Sequence, residues 1–105
     1  MSLSTHVLDA TRGTPAAGVP VRLTTVDGRE LAAAVTDADG RVRDLGGLTA
    51  GDHRLVFATG EYFAATGQKG FYPEVVVTFT VTDPAAHHHV PLLLSPFSYS
   101  TYRGS

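Results

Sequence analysis

Apolar side chains recur at every second position in three separate runs: Val19, Val21 and Leu23; Leu31, Ala33 and Val35; and Val75, Val77, Phe79 and Val81. A period of two places each set on one side of an extended chain, so each run reads as a strand with a single apolar face. Turn signals interrupt the chain at short intervals: Thr14-Pro15 with Gly18, Asp27-Gly28, Asp39-Gly40, Gly46-Gly47, Gly51-Asp52 and Asp83-Pro84. Short strands with regular punctuation exclude long helices and predict a β-sandwich. With 105 residues there is material for one hydrophobic core, so residues 1–105 are expected to form a single domain.

The pattern predicts strands near residues 3–9, 20–26, 30–36, 53–59, 74–82, 87–95 and 98–103, with a weaker one near 43–45. The one helical candidate is Glu61–Thr66, held between Gly60 and Gly67 and too short to be stable without packing. Parity sorts the polar residues. In the late strand Val90, Leu92 and Leu94 form the core set with His88, which turns His87, His89, Pro91 and Leu93 outward. In the opening strand a coreward Val7 places His6 outward with Ser4 and Leu8.

Charge and composition narrow the function. Eight basic against ten acidic residues, a formal charge of -2, give no electrostatic footprint for nucleic acid or for an anionic membrane. There is no cysteine, so neither disulfides nor thiol chemistry enter. The opening lacks a basic flank followed by an apolar run, and no stretch reaches membrane-spanning length, so a cytoplasmic location is expected.

Few residues carry chemistry, and each has a plain structural alternative. His6 on an outer strand reads first as a surface histidine. Arg41, after Asp37-Ala38-Asp39-Gly40, is either a solvated hairpin residue or a fixed fork of donors for the oxygens of a flat ligand. His87, His88 and His89 could bind a metal only through His87 and His89, since neighbours on a strand face opposite ways, and no cysteine or carboxylate at ligand spacing accompanies them, so no metal is expected. Tyr102 either covers an edge of the sandwich or, with Arg103 and the Ser105 carboxylate, orients a ligand or its attacking water. The serines near the end suggest a hydrolase nucleophile, but the chain has no Gly-x-Ser-x-Gly elbow, phosphate loop or dinucleotide fingerprint.

Four segments carry a resemblance that spans essentially the whole chain. Ser4-Thr5-His6-Val7-Leu8-Asp9, the Thr36–Arg41 turn, Phe71-Tyr72-Pro73, and His87 through Pro96 with the Tyr102-Arg103-Gly104-Ser105 terminus resemble the 5-hydroxyisourate hydrolases, the transthyretin-related enzymes of urate breakdown. The resemblance implies a transthyretin-like, eight-stranded antiparallel β-sandwich with one short helix. It implies a homotetramer, a dimer of dimers, with sites in the channel where dimers meet. It implies hydrolysis of 5-hydroxyisourate without metal or organic cofactor. Mapped onto this sequence, the catalytic group is His6, Arg41, His89 and Ser105, and the substrate-binding group is His6, Arg41, Tyr102 and Arg103. One departure is visible: His88 stands where the family usually has tyrosine, and parity makes it a packing change that needs a hydrogen-bond partner.

Two other functions compete. A carrier could bind a small aromatic ligand in the same channel without turnover. An interaction module is suggested by Gly18-Val19-Pro20-Val21, Asp27-Gly28 and Asp37–Gly40, which also resemble carboxypeptidase regulatory-like sandwich domains; that leaves the histidine strand and the terminus without a role.

Overall fold

Two sheets face one another in the computed structural model, which describes residues 2–104. The chain runs β1 (Leu3–Asp9), β2 (Thr14–Pro15), β3 (Pro20–Thr25), β4 (Glu30–Val35), β5 (Arg41–Val42), β6 (Gly51–Phe57), α1 (Thr59–Ala65), β7 (Val75–Val81), β8 (His88–His89), β9 (Leu92–Ser95) and β10 (Ser98–Thr101). One sheet has the order β4-β3-β6-β7, and every pairing in it is antiparallel. The other is built around β1, with the order β10-β9-β1-β2 and with β5 and β8 also paired to β1. Leu3, Val7, Leu92 and Leu94 from this sheet meet Val21, Leu23, Leu55, Phe57, Val75 and Val81 from the first, all essentially buried. That alternation of buried and exposed side chains is what the period-two pattern requires. No helix is long and apolar enough to cross a membrane among the described residues.

The expected sandwich with one short helix is present, but it is not antiparallel throughout, since β8 and β9 run parallel to β1, and other details differ. β4 turns its faces the opposite way from the sequence expectation: Ala32 and Ala34 pack against the core, while Leu31 and Val35 are exposed. The cause is a register shift between Leu23 and Thr24, where Leu23 pairs with Ala32 but Thr24 with Glu30, leaving Leu31 as an extra residue. A one-residue bulge exchanges the faces of everything beyond it.

The expected strand over 87–95 is interrupted. Both β8 and β9 run parallel to β1, in one continuous register that pairs Leu3 with His88 and Val7 with Leu92. Pro91 has no N–H to give to the ladder, so the gap falls there. Its surroundings compensate: the Thr5 hydroxyl donates to the Val90 carbonyl at 2.6 Å and the Thr101 hydroxyl to the Pro91 carbonyl at 2.7 Å. Pro91, placed outward by parity, is buried. The weak strand near 43–45 lies instead at Arg41–Val42, and Thr14–Pro15 adds a short strand the pattern did not signal.

The helix begins two residues earlier than expected and is held by packing and one buried acid. Tyr62 and Phe63 are buried, and the Tyr62 hydroxyl donates to Asp9 at 2.7 Å across 53 residues of sequence. Asp9 also accepts from Gln68 and from the backbone N–H groups of Thr11 and Arg12. Burial pushes the Asp9 pKa up, but these donors outweigh it, and the carboxyl titrates below its ordinary value. A depressed carboxyl pKa stabilises the fold above the unfolded value, and this contribution is lost as pH falls through the folded one. Tyr62→Phe removes one of the stabilising donors, which raises the folded Asp9 pKa. The expected outcome is a loss of about 1–2 kcal/mol in urea unfolding at neutral pH and acid unfolding that begins at higher pH than in the parent.

Candidate active site

β1 carries His6 in a run buried on one face, and its two edges deliver the other candidate residues to the opposite face. On one edge β5 pairs antiparallel, bringing Arg41 directly opposite His6. On the other edge β8 pairs parallel, bringing His89 opposite Ser4. Residues directly opposite share a face, and so do positions two apart on a strand. Ser4, His6, Arg41 and His89 therefore lie together on the outer face of the sheet. His6, Arg41 and His89 are each partly exposed.

A tight turn aims Arg41. The Asp37 carboxylate accepts from the backbone N–H groups of Asp39 and Arg41, while Gly40 N–H donates to the Asp37 carbonyl. These backbone donors, that of Arg41 foremost, hold the Asp37 pKa below its usual value. Arg43 takes the acids of this turn, at 4.0 Å from Asp37 and 3.7 Å from Asp39, and among the described residues Arg41 has no ion pair. Its guanidinium remains available. Gly40 has φ +74°, and a Cβ there would run into the Val7 carbonyl oxygen. Its own carbonyl accepts from Val7 N–H at 2.7 Å, so only glycine lets the turn lie this close to β1.

The two histidines have defined partners. His6 Nε2 lies 2.9 Å from the Asp39 carbonyl. A carbonyl only accepts, so Nε2 carries the hydrogen and Nδ1 is the unprotonated nitrogen of the neutral ring. His89 Nδ1 is 2.7 Å from the Ser4 hydroxyl, which also lies 2.9 Å from His87 Nε2. Thus the two histidines that parity allowed to share a ligand do converge, on a serine hydroxyl. Burial lowers the His89 pKa, helped by the positive charge of Arg41 and by the rings of His6 and His87. His88 is buried and donates from Nδ1 to the Ala86 carbonyl at 3.0 Å, which supplies the partner its position demanded.

The terminal segment returns to the histidines. β10 ends at Thr101, and Gly104 then bridges to His89, its N–H donating to the His89 carbonyl at 2.8 Å. A Cβ at 104 would sit 2.5 Å from His89 Cδ2, so the imidazole ring occupies the space that any side chain would need. Tyr102 and Arg103 line a cavity of about 320 Å³ together with His89, Val77 and Phe79. Ser105, expected to act through its carboxylate, lies outside the described residues. The sequence expectations omitted Ser4, although its place two residues before His6 put it on the same face.

The chain matches the HIUase/Transthyretin family over residues 3–104. It belongs to that family. The 5-hydroxyisourate hydrolase of Caulobacter vibrioides is 49% identical over 112 residues, an alignment that covers 98% of this chain and 97% of the relative. Among solved structures, the 5-hydroxyisourate hydrolase of Klebsiella pneumoniae superposes with a TM-score of 0.90 at 40% identity, covering 99% of this chain and 93% of that one. Sea bream transthyretin in complex with thyroxine superposes with a TM-score of 0.89 at 35% identity, covering 99% and 95%. The fold is therefore transthyretin-like, shared by a 5-hydroxyisourate hydrolase and by a transthyretin in complex with thyroxine.

Gly40→Ala is expected to cost more than about 1 kcal/mol, because the clash is with backbone and the φ is one that alanine resists. Backbone and side-chain NMR signals of His6 and Arg41 should shift together. Unaltered stability and unaltered signals would mean the turn does not set the Arg41 position.

Proposed function

We propose that residues 1–105 form a single hydrolase domain that opens 5-hydroxyisourate by adding water at a ring acyl carbon, giving 2-oxo-4-hydroxy-4-carboxy-5-ureidoimidazoline. The observation that carries this is the meeting of His6, Arg41 and His89 on one outer sheet face, in a chain 49% identical to a 5-hydroxyisourate hydrolase over nearly its full length. A planar, oxygen-rich ring needs a fork of donors, a base and an orienting group, and these three side chains supply them.

His89 activates the water. Its lowered pKa keeps the ring neutral at pH 7, where a base must be unprotonated, and a positioned base of this kind contributes about 10² to 10⁴ in rate. His6, held through Nε2 by the Asp39 carbonyl, orients the water or the substrate. Arg41, without an ion partner among the described residues, holds ring oxygens and offsets the negative charge that develops on the attacked carbonyl. Tyr102 and Arg103 hold the substrate from the segment that follows β10, and Ser105 belongs to the same catalytic group.

The site is open on one protomer: His6 and Arg41 lie on an exposed sheet face, and the small depression beside Arg41 is only about 110 Å³. Enclosure by a second copy, in a homotetramer built as a dimer of dimers, would exclude bulk water. The carrier alternative has one observation behind it, the likeness to thyroxine-bound transthyretin. It predicts saturable ligand binding without turnover.

The direct test generates 5-hydroxyisourate from urate with urate oxidase and follows its ultraviolet absorbance with and without the protein. Decay much faster than the spontaneous reaction supports the hydrolase, and no acceleration by folded oligomer transfers the assignment to a carrier. His6→Ala, His89→Ala and Arg41→Lys should each lower turnover at least about tenfold without unfolding the protein. The acid limb of kcat/KM should fall below the ordinary imidazole value of about 6.5. In Arg41→Gln, with one positive neighbour removed, that limb moves to higher pH. An acid limb that stays in place in this variant removes His89 from the role of base.

A further inference from the structure

A serine hydroxyl has one hydrogen to give, yet Ser4 Oγ stands between two imidazole nitrogens, His89 Nδ1 at 2.7 Å and His87 Nε2 at 2.9 Å. It can donate to only one of them, so the other must donate to it. The chain of hydrogen bonds therefore has two polarities and no neutral mixture of them. In the first, His89 Nδ1–H donates to Ser4 and Ser4 donates to His87 Nε2. In the second, His87 Nε2–H donates to Ser4 and Ser4 donates to His89 Nδ1. The chain continues on one side: Ser2 Oγ lies 3.4 Å from His87 Nδ1, which carries the hydrogen whenever His87 is neutral and accepting at Nε2.

The ends of this chain differ in exposure. Ser4 is buried, His89 is partly buried beside Arg41, His6, Tyr102 and Arg103, and His87 is exposed to solvent. An imidazolium at His89 is placed beside a permanent guanidinium with reduced access to water. At His87, exposed on the single protomer, the same charge is better solvated.

We propose that Ser4 and His87 are positioning residues that set the tautomer of His89 and carry its proton to the surface through the Ser4 hydroxyl. This rests on His89 acting as the base of the hydrolase described above. In the resting polarity His89 Nδ1–H is fixed on Ser4, which leaves Nε2 as the proton acceptor. When Nε2 takes a proton from water, the Nδ1 proton passes to Ser4 Oγ and the hydroxyl proton of Ser4 passes to His87 Nε2. Water has become hydroxide for attack on the acyl carbon, His89 is neutral and carries its hydrogen on Nε2, and His87 is the cation. His89 Nε2–H is then the form that can protonate the departing ring nitrogen. That transfer returns the chain to its first polarity, and the proton count closes.

The burial of Ser4 and the length of both contacts favour transfer over simple packing. Each lies within the range of a good hydrogen bond, and a hydroxyl rotates between its two partners without moving its oxygen. Lowering of the His89 pKa by burial and by Arg41 is the reason such an outlet is useful. None of the other titratable groups near His89, namely His6, Arg41, Tyr102 and Arg103, is hydrogen-bonded to its Nδ1 in place of Ser4.

Two substitutions separate the tautomer from the proton outlet. In Ser4→Ala the lock is lost: the ¹⁵N signals of His89 should change from the Nδ1–H to the Nε2–H pattern, and kcat should fall about tenfold or more with KM little changed. Ser4→Thr keeps the hydroxyl and should restore both. In His87→Gln a neutral acceptor remains beside Ser4 but cannot hold the proton, so the His89 tautomer should be retained while kcat still falls. The relay is overturned if wild-type His89 carries its hydrogen on Nε2 at neutral pH. It is equally overturned if Ser4→Ala and His87→Gln keep the parental kcat while His89→Ala loses activity, a result that leaves the hydrolase assignment standing. Absence of turnover in the parent protein would remove the hydrolase assignment and the relay together.

Discussion

The structure depends on how much is asked of β1. Seven residues, Leu3–Asp9, pair with four other strands, two on each edge, bury Leu3 and Val7, and present His6 to the opposite side. Strand parity makes these demands compatible, since alternate side chains serve the core and the outer face. Any register slip of one residue would exchange Val7 with His6 and lose the core and the site at once. The parallel pairing to β8 and β9 is what makes the late histidines and the opening serine neighbours across 85 positions of sequence, a contact no local interaction could produce.

Two glycines and a proline tune that frame. Gly40 lets a turn rest on the backbone of β1, Gly104 leaves room for the His89 ring, and Pro91 opens a gap in the ladder that two threonine hydroxyls then close. Asp9 at the far end of β1 anchors the short helix through Tyr62 and so ties the β6–β7 connection of the other sheet to the same strand. The site is thus held mostly on paired strands, with the Arg41 turn fixed by Asp37. In the proposed hydrolase, pre-organisation of this kind keeps donors in place without ordering them again at each turnover.

The sheet faces were legible from period-two alternation where the ladder is regular: the burial of His88, Val90, Leu92 and Leu94 and the outward turn of His6 and His89 follow from parity alone. β4 was misread because a bulge at Leu31 is invisible in a run that is apolar or small at every position from Leu31 to Val35, so either face could have been the buried one. The break at Pro91 was visible in principle, since proline cannot donate to a ladder, but the continuous apolar run around it masked the signal. The grouping of His6, Arg41 and His89 came from family resemblance, because the pairing of β1 with β5 and β8 is a matter of topology. Ser4 is not legible for a different reason: a serine carries no chemical signal in sequence until the fold sets its hydroxyl between two rings.

Electrostatics explain why a hydroxyl belongs at that point. Arg41 is permanently charged, and it opposes a second positive charge on the partly buried His89, where water screens the repulsion less than it would at an open surface. A base in this cluster works only if it remains neutral before the reaction and does not keep the proton it takes. The transthyretin-like frame permits this without favouring it, since the same sheets also form a thyroxine complex in sea bream transthyretin. In the function proposed above, what turns the frame toward water chemistry is the set of side chains on the outer face of β1, β5 and β8. There one serine joins the imidazoles of His89 and His87, with the fixed positive charge of Arg41 on the same face.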